Sequence, residues 1–203
     1  MDDLYAAVVH DVKNQMAELA LRLGERGDSQ QEMVIAMNAA RRLSEMLLVH
    51  RQASDLLGVN VDSVNPADFL AILAAEYREL FPRLFIDISV DLAPEFAFFD
   101  DALVRLALAN AIHNACRYAQ SRVQLAAYGG GKMLVFEVSD DGPGFPEKVL
   151  VEGGVAPSSV SGEGTGLGLY LARKIAELHH LEGCRGHVEL NNAKGAVFRM
   201  MLP

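Results

Sequence analysis

The chain has little cysteine, no excess of positive charge and no long hydrophobic run, and each absence argues against a class of protein. Two cysteines, Cys116 and Cys184, make no disulfide framework; Cys116 sits in an apolar helical stretch, so a reduced core residue in a cytoplasmic protein is expected. With 18 Lys+Arg against 27 Asp+Glu, the net charge is −9. That argues against nucleic acid and anionic membrane as main partners, since both need a basic footprint. No apolar run approaches the ~20 residues that span a bilayer, and the N-terminus lacks a signal-peptide pattern, so no membrane segment is expected. His179, His180 and His187 lie near Cys184, but their spacing matches none of the common zinc patterns, and a loop is expected there instead of a metal site.

What the chain does have is a 51% hydrophobic content over 203 residues, enough for one core plus a small helical module. Val8, Val12, Met16, Leu19 and Leu23 form one stripe of an amphipathic helix over residues 4 to about 26. After Gly27-Asp28-Ser29, the residues Met33, Met37, Ala40, Leu43 and Leu47 carry a second helix to about Leu57. Two such helices make an antiparallel hairpin with little core of its own, so pairing with a second copy into a four-helix bundle is the natural way to bury both stripes. His10 falls away from the stripe and is expected to be exposed, with Asp11 beside it and Asn14 one turn on. An exposed helical histidine is usually only solvated; a neighbouring carboxylate can instead fix its tautomer and leave a nucleophilic nitrogen.

The helical pattern lapses from Gly58 to Asn65, which marks a domain boundary. Asn65-Pro66-Ala67-Asp68 then reads as an N-cap, a first-turn proline and a first-turn acid, opening a helix to about Leu80. Alternation from Leu84 to Leu92 predicts a strand with one buried face, and Asp100-Asp101 opens a helix to about Ala119. On that helix Asn110, Asn114, Arg117 and Tyr118 share one side, opposite Leu103, Leu106 and the alanines. Two amides one turn apart suit a polar site, and amide oxygen suits magnesium, although an ordinary polar face would look the same. Strands are predicted at Arg122 to Tyr128, Met133 to Val138, His187 to Asn191 and Ala196 to Leu202, with helices on one face of the sheet: an α+β sandwich.

Two glycine segments organise this second part. Asp140 ends an apolar strand and is followed by Asp141-Gly142-Pro143-Gly144; Gly162 to Leu169 reads Gly-Glu-Gly-Thr-Gly-Leu-Gly-Leu and leads into a helix to Leu178. A carboxylate at a strand end can accept from an exocyclic amine such as adenine N6, and glycines at a helix N-terminus can bring N–H groups close to phosphate. Each segment alone is also a good turn or loop, and it is their pairing that argues for a nucleotide.

These segments carry a family resemblance. Asn110-Ala-Ile-His-Asn114-Ala-Cys-Arg117-Tyr118 resembles the N box of sensor histidine kinases, Asp140-Asp-Gly142-Pro-Gly144 the G1 box, Gly164-Thr165-Gly166-Leu167-Gly168-Leu169 the G2 box, and His10-Asp11-Val-Lys-Asn14 the H box. All four stand in the family order. The resemblance implies a dimerisation and histidine-phosphotransfer hairpin over residues 1–62, forming a dimeric four-helix bundle. It further implies a Bergerat-fold ATP-binding domain over residues 63–203, an α/β sandwich with a mixed, largely antiparallel sheet of the kind shared with gyrase.

In that reading Asn114, assisted by Asn110, holds magnesium; Arg117 and Tyr118 neighbour the phosphates and the base; Asp140 binds adenine N6; Gly142 and Gly144 shape the base pocket; and Gly164, Thr165, Gly166, Leu167, Gly168 and Leu169 form the phosphate end of the lid. His10 takes the γ-phosphate of ATP with Asp11 as base, and passes it to an aspartate on a response-regulator receiver domain. Asn14 stands where members that also dephosphorylate their partner carry an amide or hydroxyl, which implies a phosphatase activity too. The alternative is a phosphotransfer adaptor with a vestigial ATP-binding domain, which retention of the nucleotide glycines disfavours. An anti-sigma serine kinase of the same superfamily would lack His10 and Asp11.

The chain also departs from the family pattern. Gln15 replaces a frequent proline, so a straighter helix is expected; residues Pro146 to Ser161 lack the phenylalanine- and arginine-bearing F box; and Val197 stands where a small hydroxyl residue is frequent, with an altered water-mediated contact to the base expected. The chain starts nine residues before His10, which is expected either of the catalytic core of a longer protein or of a stand-alone kinase controlled by partners.

Overall fold

The structure, a computed structural model, describes residues 58–152 and 167–203 and, ahead of them, Met16, Leu19, Ala36, Ala39 and Leu43. The chain divides into two compact units, Met1–Gly58 and Val59–Pro203. In the first unit the five described residues are all helical, and Ala36 is buried. The remainder of the expected hairpin, including His10, Asp11 and Asn14, lies outside the described residues.

The second unit runs β1 (Asp62–Val64), α1 (Pro66–Leu80), β2 (Phe85–Leu92), β3 (Ala97–Phe99), α2 (Asp101–Tyr118), β4 (Arg122–Gly130) and β5 (Met133–Asp140). It continues with α3 (Glu147–Glu152), α4 (Leu167–Leu178), β6 (His180–Leu181), β7 (Cys184–Arg185), β8 (His187–Asn192) and β9 (Ala196–Leu202). The start of α1 follows its sequence signature: Asn65 Oδ1 accepts from the backbone N–H groups of Ala67 at 2.9 Å and Asp68 at 3.1 Å, and Pro66 fills a first-turn position. Asp100 caps α2 in the same way, accepting from Leu103 N–H at 2.9 Å.

Five strands pair in the order β2-β4-β5-β9-β8. Only β2 and β4 run parallel; the other neighbours are antiparallel, giving the mixed, largely antiparallel sheet expected. A parallel neighbour needs a long crossover, and α2 lies in that connection. The register brings the starts of β4 and β9 and the ends of β5 and β8 to one end of the sheet, with Val123 opposite Asp140, Ser139 opposite Val197 and Asn192 opposite Ala196.

One sheet face packs against α1, α2 and α4. Alternation places Val123, Leu125, Ala127, Leu134, Phe136, Val138, Phe198, Met200 and Leu202 on that face, all of them buried. At its centre Phe69, Phe99 and Phe136 form an aromatic triangle with centroids 5.4, 5.5 and 5.7 Å apart, tying α1, β3 and β5 together.

Three local expectations are corrected. The strand expected from Leu84 begins at Phe85, and of its apolar face only Ile86 is fully buried, while Leu92 is 79% exposed. The reason is that β2 is an edge strand with a register irregularity between Ser89 and Leu92. On α2 the buried residues are Val104, Ala107, Leu108, Asn110, Ile112, His113, Ala115 and Cys116, and Leu103 and Leu106 are only half-buried. This helix packs against both the sheet and α4, so its buried surface is broader than one stripe and takes in an amide. The stretch around Cys184, expected as loop, forms the short β6–β7 hairpin.

Phe136→Ala should lower the unfolding free energy by about 3–5 kcal/mol, because the triangle cannot collapse around the missing ring; urea unfolding at neutral pH measures it.

Candidate nucleotide-binding site

Helix α2 meets both glycine segments. Near its middle, Asn110 is 2% exposed, and among the described residues neither its Oδ1 nor its Nδ2 has a hydrogen-bond partner. A Cβ on Gly168, in the first turn of α4, would come within 2.8 Å of Asn110 Oδ1, so only glycine lets the two helices approach there. At the other end of α2, a Cβ on Gly142 would collide with the carbonyl oxygen of Tyr118. Asn114 is exposed one turn beyond Asn110, and Arg117 and Tyr118 are exposed in the last turn, with the guanidinium 5.5 Å from the Tyr118 ring centroid.

Asp140 ends β5 with the same parity as Phe136 and Val138, so its carboxylate stands on the helix-covered side of the sheet. Its Oδ1 accepts from Gly142 N–H at 2.8 Å and Ala196 N–H at 3.3 Å. Its Oδ2 takes no hydrogen bond among the described residues, leaving an acceptor oriented by the bonds to its neighbour. Beneath it, burial first and the Asp140 charge second push the Cys116 thiol up to about 12. Cys116 is a protonated, unreactive core residue, as expected from its apolar helix.

Asp141 points the other way and is fully engaged. Its Oδ1 accepts from the N–H groups of Gln120 at 2.8 Å, Ser121 at 3.0 Å and Arg122 at 3.1 Å, and its Oδ2 from the Ser121 hydroxyl at 2.6 Å. The Ser121 hydroxyl, with the backbone N–H groups, holds this carboxyl well below the usual carboxylate range. The turn from Asp140 to Phe145 is thus fixed to the α2–β4 junction.

The far end of that turn is held from the β8–β9 connection. Asn192 accepts from Phe145 N–H through Oδ1 at 2.8 Å and donates from Nδ2 to the Phe145 carbonyl at 2.9 Å. Gly144 between them has φ +84°, where a side chain would be strained, and a Cβ there would also lie 2.8 Å from the Asn192 amide.

Among the expected site residues, the structure brings Asn110 against Gly168 and Tyr118 and Asp140 against Gly142, with Gly144 seated on Asn192; Asn114 lies exposed one turn beyond Asn110, and Leu167 and Leu169 open α4 beside Gly168. Gly164, Thr165 and Gly166 lie outside the described residues. Val197 pairs with Ser139, on the parity opposite to Asp140, and the β9 residue whose N–H reaches the Asp140 carboxylate is its neighbour Ala196. Asp141 and Asn192 were not legible as site-building residues. Alternation carried one residue past Asp140 is the signal that turns Asp141 away from it, whereas Asn192 carries no local signal. His179 is buried with both ring nitrogens engaged, Nδ1 with Ile175 O at 2.8 Å and Nε2 with Asp100 N–H at 3.0 Å, and no cluster able to hold a metal through His, Cys, Asp or Glu occurs among the described residues. No helix among them is long and apolar enough to cross a membrane.

Residues 99–203 match the family model of histidine kinase-, DNA gyrase B-, and HSP90-like ATPases, and the chain belongs to that family. Its curated relatives include the sensor protein PhoQ of Escherichia coli, 27% identical over 92% of this chain, and the sensor histidine kinase GtrS of Pseudomonas aeruginosa, 30% identical over 98% of it. The chain spans 40% and 41% of those two proteins. A crystal structure of the ATP binding domain of PrrB from Mycobacterium tuberculosis superposes with a TM-score of 0.56 at 28% identity, covering 71% of this chain and 97% of that one.

The Asp141 anchor makes stability pH-dependent. A carboxyl whose pKa is lowered on folding contributes fully above its unfolded value, about 3.9, and loses that contribution as pH falls toward its folded value. Asp141→Asn should therefore lower the melting temperature at pH 7 while flattening the fall of stability below about pH 4, as thermal melts across pH would record.

Proposed function

We propose that this chain is the core of a two-component histidine kinase, which transfers the γ-phosphate of ATP to His10 and then to an aspartate on a response-regulator receiver domain. The observation that carries the reading is the position of α2 between the two glycine segments, against Gly142 at one end and Gly168 at its middle. That arrangement joins an acceptor for an exocyclic amine to a glycine-bearing helix N-terminus suited to phosphate. The relatives are named as sensor proteins, which agrees with it.

In this reading Asp140 Oδ2 accepts from adenine N6, its orientation fixed by the two N–H groups on Oδ1. Gly142 and Gly144 keep side chains out of the base pocket, and Arg117 and Tyr118 flank the nucleotide. Gly164, Thr165, Gly166, Leu167, Gly168 and Leu169 approach the phosphates. The buried amide of Asn110, without a partner among the described residues, and the exposed amide of Asn114 one turn away fit a hard divalent cation, so these two would hold magnesium. When bound, that ion neutralises phosphate charge.

The chemistry falls to His10. Its imidazole nitrogen forms the bond to the γ-phosphorus as the bond to the β–γ bridging oxygen breaks, ADP departs, and Asp11 holds the ring and accepts its other proton. The receiver aspartate then takes the phosphoryl group from the imidazole. The Asn14 amide orients a water for hydrolysis of the receiver phosphate, giving a phosphatase activity. The hairpin over residues 1–62 buries its apolar stripes in a homodimeric four-helix bundle, and the ATP-dependent step places the chain in the cytoplasm.

Incubation with γ-labelled ATP and magnesium should give label that survives base and is lost in acid, and His10→Gln should give none while still binding ATP. Label on the His10→Gln chain would remove His10 from the reaction. Asp140→Asn should weaken ADP binding by about ten- to a hundredfold, the worth of a charge-assisted hydrogen bond; unchanged affinity by calorimetry would place the base elsewhere.

A further inference from the structure

We propose that Asn192 is a positioning residue of the nucleotide site, holding the base turn of residues 140–145 from the opposite side of the sheet end; this rests on the reading of that turn as the adenine site. The turn is fastened at both ends by the β8–β9 connection. At its start, Ala196 N–H donates to Asp140 Oδ1 at 3.3 Å, and a Cβ on Gly195 would collide with the Asp140 carbonyl oxygen. At its end, the Asn192 amide pairs with the Phe145 backbone as a second strand would, accepting its N–H at 2.8 Å and donating to its carbonyl at 2.9 Å.

This side chain is built for the task. Asn192 closes β8, opposite Ala196, with the parity of Val188, which is buried on the helix side. Its amide offers both an acceptor and a donor, so one side chain satisfies both backbone groups of Phe145. Gly144, held at φ +84°, passes directly over that amide. The 140–145 turn therefore rests on Asn192 at one end and on the Asp141 cradle at the other, and the acceptor for the base lies within that span. Phe145 also leads directly into Pro146 and α3.

A positioning role predicts a loss specific to the adenine contact. Losing both hydrogen bonds, where they organise the site and not the fold, should read as a loss of about tenfold in affinity. Calorimetric titration of the full chain with ADP and, separately, GDP should show Asn192→Ala binding ADP about tenfold more weakly while GDP, whose O6 cannot donate to Asp140, changes little. Asn192→Asp keeps the acceptor for Phe145 N–H but loses the donor, and should fall between wild type and Asn192→Ala; it also serves if the alanine variant does not fold.

Equal ADP affinity in wild type and both variants would overturn the proposal. So would an equal proportional loss for ADP and GDP, which would mark Asn192 as a merely structural residue. Absence of ADP binding by the wild-type chain would instead overturn the nucleotide reading itself, and the proposal with it.

Discussion

Side-chain alternation along β5 is the constraint on which both the core and the candidate site depend. Phe136 and Val138 pack among the helices, and two residues later the same parity delivers the Asp140 carboxylate to the same side at the sheet end. The next residue necessarily faces away, and there Asp141 binds the α2–β4 junction. Two adjacent, identical side chains thus take opposite tasks, one presenting a free oxygen and one tying the chain down. A register slip of one residue would exchange the two and destroy both. The aromatic triangle around Phe136 opposes such a slip, since the displaced ring would leave the core.

Topology accounts for the position of α2. Because β2 and β4 are parallel neighbours, the chain between them must cross the sheet, and the helix that does so ends where β4 begins. That is the end of the sheet at which β5 terminates. The carbonyl of Tyr118 consequently lies against Gly142, and the amide of Asn110 against Gly168. Burying an amide that has no partner among the described residues costs stability that a leucine at the same place would not. With His113 it makes the buried surface of α2 partly polar, so apolar packing alone does not account for this position.

The architecture of the second unit was readable because its signals are local. The Asn65-Pro66 cap, the Asp100 cap, the alternation of β4 and β5 and the order of the glycine segments each depend on a few neighbouring residues. What escaped notice depends on tertiary pairing. The exposure of Leu92 follows from β2 being an edge strand, and the burial of Asn110 follows from α4 packing beside α2. The role of Asn192 depends on a partner at Phe145, 47 positions away. That Ala196, and not its neighbour Val197, sends its N–H to the Asp140 carboxylate is visible only from the strand register.

The β5–β9 pairing has a further consequence, for chain length. Asp140 and Ala196 are in contact although they lie 56 positions apart, so the whole connection between them is already a long loop closed by the sheet. The entropy of closing such a loop grows only logarithmically, by about 0.6 kcal/mol for each doubling. The length of that connection therefore costs little in closure entropy, whereas a single residue gained or lost within 140–145 or 192–196 would misalign the bonds that join them. The sheet thus tolerates the length of this closure far better than any shift at the two points where it is made, residues 140–145 and 192–196.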